Sequence, residues 1–187
     1  MSGRRPAVFL DRDGTIIEDK GFLADPRGVR ILPTVVDALR LLAAHGYATI
    51  VVSNQSGVAR GYFDDDAVRA VNAEIARQLA GDRVTIDGWY WCSHYNDGCT
   101  CRKPAPGLVR RAAEEHDLDL SPRSAVVGDR GSDVALGHAV GIAAILVPGP
   151  YLYAGPEPDL RAQTLLEAAQ WIVEPVLSRS KHETANG

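Results

Sequence analysis

Two carboxylates two residues apart, Asp11 and Asp13, stand directly after the apolar run of residues 7–10. A second acidic pair, Asp129 and Asp133, follows the apolar run 125–127. Several carboxylates converging on one point repel unless a cation sits among them, and an all-oxygen set suits a hard ion such as Mg2+. Arg102 and Lys103 add positive charge and Ser53 a hydroxyl. A hard cation, a lysine and hydroxyl or backbone donors are what a phosphoryl group needs as charge shifts during transfer. No GxxxxGK[ST] and no GxGxxG occurs, so the phosphate chemistry is not that of a P-loop or a dinucleotide fold. Each element alone has a plain structural alternative: a turn, an idle loop, a solvated lysine, a helix N-cap. What points to one site is that all four clusters come in order at predicted strand ends.

The cysteines form a second chemical cluster. All three, Cys92, Cys99 and Cys101, fall in one short stretch together with His94. An odd count this local is a poor disulfide framework. Three thiolates and an imidazole complete a tetrahedral zinc set, and four protein ligands leave no open position, so the Zn2+ would be structural. The residues between His94 and Cys99, Tyr95-Asn96-Asp97-Gly98, are turn-rich, as a short metal-held loop requires. Fixing Cys101 to a metal would fix the backbone that aims Arg102 and Lys103.

These groups need a scaffold. Short apolar runs at 7–10, 47–52, 86–91, 125–127 and 142–147 read as buried strands. Between and after them, 33–46, 64–80, 107–116, 132–140 and 160–173 read as helices, with Pro33 starting the first, Gly46 closing it, and Val68, Val71, Ile75 and Leu79 on one face of the second. The stretch 148–158, rich in Pro, Gly and Tyr, reads as a loop. Strands and helices alternate, which predicts an α/β fold: one Rossmann-like, doubly wound, mainly parallel sheet. The intervals from Thr15 to Ser53 and from Ser53 to Lys103 are already filled by scaffold, leaving no room for a large cap domain. A single domain over 1–177 with a polar, frayed tail at 178–187 is expected.

The 187 residues carry 20 Lys+Arg and 24 Asp+Glu, a net charge of −4, which argues against a nucleic-acid binder. No apolar run is long enough to span a bilayer, and the first residues do not form a secretory signal. A cytoplasmic monomer without membrane association is the expectation.

The segment 8–15 (VFLDRDGT) resembles the first motif of the haloacid dehalogenase superfamily, with Ser53 matching the second, Lys103 the third, and Asp129 with Asp133 the acidic fourth. The resemblance spans 7 to about 147. The cysteine loop running into Cys101-Arg102-Lys103-Pro104 is similar to the histidinol-phosphatase and heptose-bisphosphatase branch, and segment 53–61 (SNQSGVARG) leans toward its heptose-bisphosphate members. The resemblance implies a Mg2+-dependent phosphomonoester hydrolase acting on a small phosphorylated sugar through a phosphoaspartate. Asp11 would be the nucleophile and Asp13 the acid–base. Ser53 and Lys103 would hold the phosphoryl group. Mg2+ would sit on Asp11, the Asp13 carbonyl and Asp129, with Asp133 supporting that shell or orienting Lys103. Arg102 would recognise the substrate, and Asp19, Lys20, Gly21, Phe22, Asn54, Gln55, Ser56 and Arg130 would line its pocket. Histidinol phosphate, or a sugar phosphate other than the heptose bisphosphate, is the alternative substrate. A receiver-type phosphoacceptor shares the acidic cluster and lysine but lacks a use for Asp13. A zinc-ribbon interaction module explains the cysteines but none of the aspartates.

Overall fold

The computed structural model describes residues 3–95 and 98–176. Asn96 and Asp97 of the cysteine loop, and the expected tail from 178, lie outside the described residues. Among the described residues five α-helices surround seven strands, all paired in parallel: β1 (Arg5–Leu10), α1 (Val35–Ala44), β2 (Ala48–Asn54), α2 (Asp65–Gly81), β3 (Gly88–Cys92), α3 (Gly107–Glu115), β4 (Leu118–Asp119), β5 (Ala125–Gly128), α4 (Gly131–Val140), β6 (Ala143–Leu146), β7 (Leu160–Arg161) and α5 (Leu165–Val173). The sheet order is β3-β2-β1-β5-β6-β7, with β4 pairing only the start of β1.

Both faces of the sheet are covered, which is why its strands read as continuous apolar runs. Alternation assigns Val8 and Leu10 of β1, Val51 of β2, and Ala125 and Val127 of β5 to one core, packed with α1, α2 and α5. Phe9, Ile50, Val52 and Val126 point the other way and pack with α3 and α4. Succession runs outward from β1 to β2 and β3, then restarts at β5 on the other side of β1. The strand order therefore reverses beside β1, and ligands of open α/β sheets bind outside the carboxyl ends at such a point. No second domain covers that edge among the described residues.

Several details differ from the sequence reading. β2 runs on through Ser53 and Asn54, which pair with Trp91 and Cys92 of β3, so both polar residues sit on a rigid strand. Leu160 and Arg161 form β7 against β6, and α5 starts only after Thr164, whose hydroxyl caps Glu167 N at 3.1 Å. The first helix begins at Val35, not Pro33, because Thr34 takes a left-handed φ of 69°. β4 and β7, two residues each, are too short to leave a periodic signal.

Candidate active site

Asp11 is the first residue past β1, and its N–H donates to the Val127 carbonyl of β5 at 3.0 Å. The chain then turns tightly, with Ile16 and Ile17 amides returning to the Arg12 carbonyl at 2.9 and 3.0 Å. Gly14 makes the turn at φ 85°, and a Cβ there would overlap the Asp129 carboxylate. Glycine is thus required twice, for the backbone angle and for the close approach. Asp129 itself is the first residue past β5 and is nearly buried.

Lys103 is the centre of charge. Its Nζ lies 2.7 Å from Asp11 Oδ1 and 2.6 Å from Asp133 Oδ1, and it donates to the Val52 carbonyl at 2.8 Å. Burial alone would push its pKa down, but the two carboxylates, Asp11 foremost, override that and raise it, favouring the charged ammonium. Asp133 is fully buried, and its Oδ2 accepts from the Arg130 amide at 3.1 Å. Asp133 thus orients Lys103, and it also stands beside Asp11 and Asp129.

Asp13 is gripped from the side. Arg12, only 1% exposed, donates to both its oxygens at 2.9 and 3.2 Å, and Gln55 Nε2 donates to Oδ2 at 3.0 Å. Arg12 is anchored in turn on Asn72 of α2 at 3.1 Å and on Gln55 Oε1 at 3.1 Å. Burial raises the Asp13 pKa and Asp11 adds to it. Arg12 and Gln55 pull it down, and burial prevails. Sequence reasoning missed Arg12 as a site residue. A signal existed: Asn72 is a polar residue on the apolar stripe of α2, where it reaches inward to meet a buried group.

Asp11, Asp129 and Asp133 offer one oxygen each within 4.8 Å of one another. Both Asp129 oxygens are buried without a hydrogen-bond partner; Arg130 Nε approaches one no closer than 3.9 Å. Burial, then Asp11 and Asp133, push the Asp129 pKa up to about 7, and burial brings Asp133 to about 6 despite Lys103. A Cβ on Gly149 would also overlap Asp129. Three converging carboxylates, with Asp129 kept clear by two glycines, buried and without a hydrogen-bond partner, fit a hard divalent cation.

The thiol cluster also assembles. Cys92, His94, Cys99 and Cys101 place their donor atoms together, with S···S separations of 3.1–3.6 Å and His94 Nδ1 3.1 Å from Cys101 Sγ. These distances are too long for disulfides, for which S–S is about 2.05 Å. They approach the roughly 3.8 Å edges of a tetrahedron around a zinc with Zn–S bonds of about 2.3 Å.

In front of Asp11 and Lys103 opens a cleft of about 360 Å3. Asp13, Asp19, Gly21, Phe22, Asn54, Gln55, Ser56, Arg102 and Arg130 line it, as do Arg60, Ser132 and Tyr151, which the sequence reading had not placed there. Several predicted pocket residues have a different immediate task. Asn54 bonds the Lys103 backbone at both its N–H and its carbonyl. Gln55 spans Asp13 and Ser53, donating to the Ser53 hydroxyl at 2.5 Å. Asp19 Oδ2 accepts from Arg130 at 2.8 Å. Ser53 is buried behind the lining. Lys20 is not brought to the cleft: its ammonium donates to the Gly28 carbonyl at 3.1 Å and lies 3.6 Å from Glu18. Its neighbours in the turn, Asp19 and Gly21, face the cavity while the long lysine chain follows the surface.

Known proteins resemble this chain in sequence and in fold. A family model described as "HAD-hyrolase-like" matches residues 100–150. A D-glycero-D-manno-heptose-1,7-bisphosphate 7-phosphatase from Thermosynechococcus vestitus is 36% identical, the alignment covering 90% of this chain and 95% of that protein. A D-glycero-beta-D-manno-heptose-1,7-bisphosphate 7-phosphatase from Yersinia pestis is 33% identical over 97% of this chain and 96% of its own. The crystal structure of a D,D-heptose 1,7-bisphosphate phosphatase from B. bronchiseptica, complexed with magnesium and phosphate, superposes with a TM-score of 0.80 at 31% identity, covering 90% of this chain and 98% of that one.

Proposed function

Since this chain belongs to the heptose-bisphosphate phosphatase family of the haloacid dehalogenase superfamily, we propose that it removes the 7-phosphate of D-glycero-D-manno-heptose 1,7-bisphosphate. The observation that carries the reading is that one cleft joins Asp11 and Lys103 to three guanidiniums, those of Arg60, Arg102 and Arg130. A substrate carrying a second phosphate suits a cleft lined by three guanidiniums besides Lys103, since guanidiniums grip phosphate in a fork. Histidinol phosphate, with a cationic amine in place of the second phosphate, meets like charge there.

In the mechanism, the Asp11 carboxylate attacks phosphorus and the P–O bond to the sugar breaks. Asp13, its pKa raised by burial, delivers its proton to the departing alkoxide. Now ionised, Asp13 takes a proton from water, which attacks the phosphoaspartate and frees Asp11 and inorganic phosphate. Lys103 holds the phosphoryl oxygens, while Ser53, behind the cleft wall, accepts from Gln55 Nε2 and so braces the amide that orients Asp13. Arg12 and Gln55 keep Asp13 oriented throughout. Mg2+ would be held by the Asp11 carboxylate, the Asp13 backbone carbonyl and Asp129, supplying charge neutralisation to the transferring group. A structural Zn2+ on Cys92, His94, Cys99 and Cys101 would brace the segment bearing Arg102 and Lys103.

The reading takes residues 1–177 as one domain of a cytoplasmic monomer, acting on a small phosphorylated sugar without nucleic-acid or membrane partners. No helix among the described residues is long and apolar enough to cross a membrane. The test is phosphate release with Mg2+ from heptose 1,7-bisphosphate (both anomers) and from histidinol phosphate, with the product identified by phosphorus NMR. Preference for a bisphosphate by about 100-fold or more in kcat/KM, leaving the 1-phosphate, is the expected result. Preference for histidinol phosphate overturns the substrate assignment.

A further inference from the structure

Tyr95 follows the zinc-loop residue His94 and is 40% exposed. Its ring carries two guanidiniums, Arg60 at 3.8 Å and Arg102 at 5.7 Å from the ring centroid. The two arginines come from different loops, one after β2 and one before α3, and both line the cleft. Neither is paired with a carboxylate among the described residues. Arg102 donates to the His94 carbonyl at 3.2 Å, and Arg60 rests on Tyr95 and, at 5.7 Å, on Phe22. Arg130 contrasts with them: Asp19 already takes one of its donors, and Tyr151 lies under it at 4.1 Å.

An exposed arginine spreads over many rotamers, and a ring beneath the guanidinium removes much of that freedom. Two like charges held to one ring repel each other, and an anion between them relieves the repulsion. Tyr95 lies between two members of the thiol–imidazole cluster, His94 and Cys99, so bracing that loop also braces the ring. We infer that Tyr95 is a specificity-positioning residue, holding Arg60 and Arg102 for the non-reacting phosphate of the substrate. This rests on the bisphosphate reading above and adds to it the group that sets the reach of the two arginines. The reacting phosphate, at Asp11 and Lys103, is not served by Tyr95.

The test compares Tyr95→Leu and Tyr95→Phe with the wild type on heptose 1,7-bisphosphate and on an aryl monophosphate, with bound zinc measured in each variant. Leucine keeps apolar bulk but loses the π face. Tyr95→Leu should raise KM for the bisphosphate about 10-fold with kcat changed by no more than about 2-fold, and leave aryl-phosphate kcat/KM alone. Tyr95→Phe should restore the wild-type KM. In an Arg60→Ala background the Tyr95→Leu effect should shrink, because the two residues act as a unit. The inference is overturned if Tyr95→Leu keeps the wild-type KM, if both substrates suffer together, if the two substitutions are additive, or if the KM effect tracks loss of zinc. A wild type that does not favour the bisphosphate over the monophosphate would instead defeat the functional reading itself.

Discussion

The side-chain amide of Asn54 holds the backbone of Lys103 on both sides: Oδ1 accepts from its N–H at 3.0 Å and Nδ2 donates to its carbonyl at 3.2 Å. Asn54 is the last residue of β2, so the strand itself sets where the lysine starts. The ammonium at the other end is fixed by Asp11 and Asp133. Asn54→Ala removes the first constraint and keeps the second. The expected outcome is a loss of about 10- to 100-fold in kcat/KM, the scale of a small misplacement, with bound zinc unchanged. Steady-state kinetics with metal analysis checks it.

Lys103 thus has an anchor independent of the cysteine loop, whereas Arg102 depends on that loop, bonding the His94 carbonyl and facing the Tyr95 ring. Cys101→Ser should therefore release zinc and disturb Arg102 more than Lys103. The expected signature is a KM for the bisphosphate raised by about 10-fold or more with a smaller fall in kcat. Normal kinetics in zinc-free protein would contradict it.

Asp13→Asn keeps the side-chain shape but cannot carry a proton to the leaving alkoxide. The rate of phosphoaspartate formation, read as kcat/KM, should fall by about 100- to 10,000-fold, the usual worth of general acid–base catalysis. The loss should be smaller for an aryl phosphate, whose leaving group needs less protonation. Equal losses on the two substrates would argue that Asn disturbs Arg12 rather than proton transfer.

Asp129 ties metal binding to pH. Without metal its pKa is raised from an ordinary 3.8 to about 7, chiefly by burial. Between those values the folded chain retains a proton that the unfolded chain has released. Stability of the metal-free protein therefore falls as pH rises through that window. A cation must displace that proton, so apparent Mg2+ affinity should weaken as pH drops below about 7. The thermal stabilisation given by a fixed Mg2+ concentration should shrink in parallel. Calorimetric titration and melting at several pH values check both. Gly149→Ala, which crowds the Asp129 carboxylate, should lower Mg2+ affinity about 10-fold, a shift of roughly 1.4 kcal/mol.

What could be read from the sequence was whatever is local along the chain. Asp11, Asp13, Asp129 and Asp133 announce themselves because each pair follows its own apolar strand. The cysteine cluster is legible because its four members lie in one short stretch. What stayed hidden depends on partners far along the chain. Arg12 becomes a positioning group only once α2 brings Asn72, 60 residues away, against it. Asn54 becomes a clamp only through Lys103, 49 residues on. Asp19 and Lys20 are adjacent and both charged, and only the turn decides that one faces Arg130 in the cleft and the other the Gly28 carbonyl. In the fold, strands with four or more residues were legible, whereas β4 and β7, two residues each, exist only because β1 and β6 offer them a pairing edge.

The most direct test of the central claim is rapid-quench trapping on heptose 1,7-bisphosphate carrying labelled phosphorus at C7. The expected result is label on the protein early in the first turnover, mapped by peptide mass spectrometry to Asp11 and absent from Asp11→Asn. Label on another residue, or full turnover by Asp11→Asn, would contradict the account.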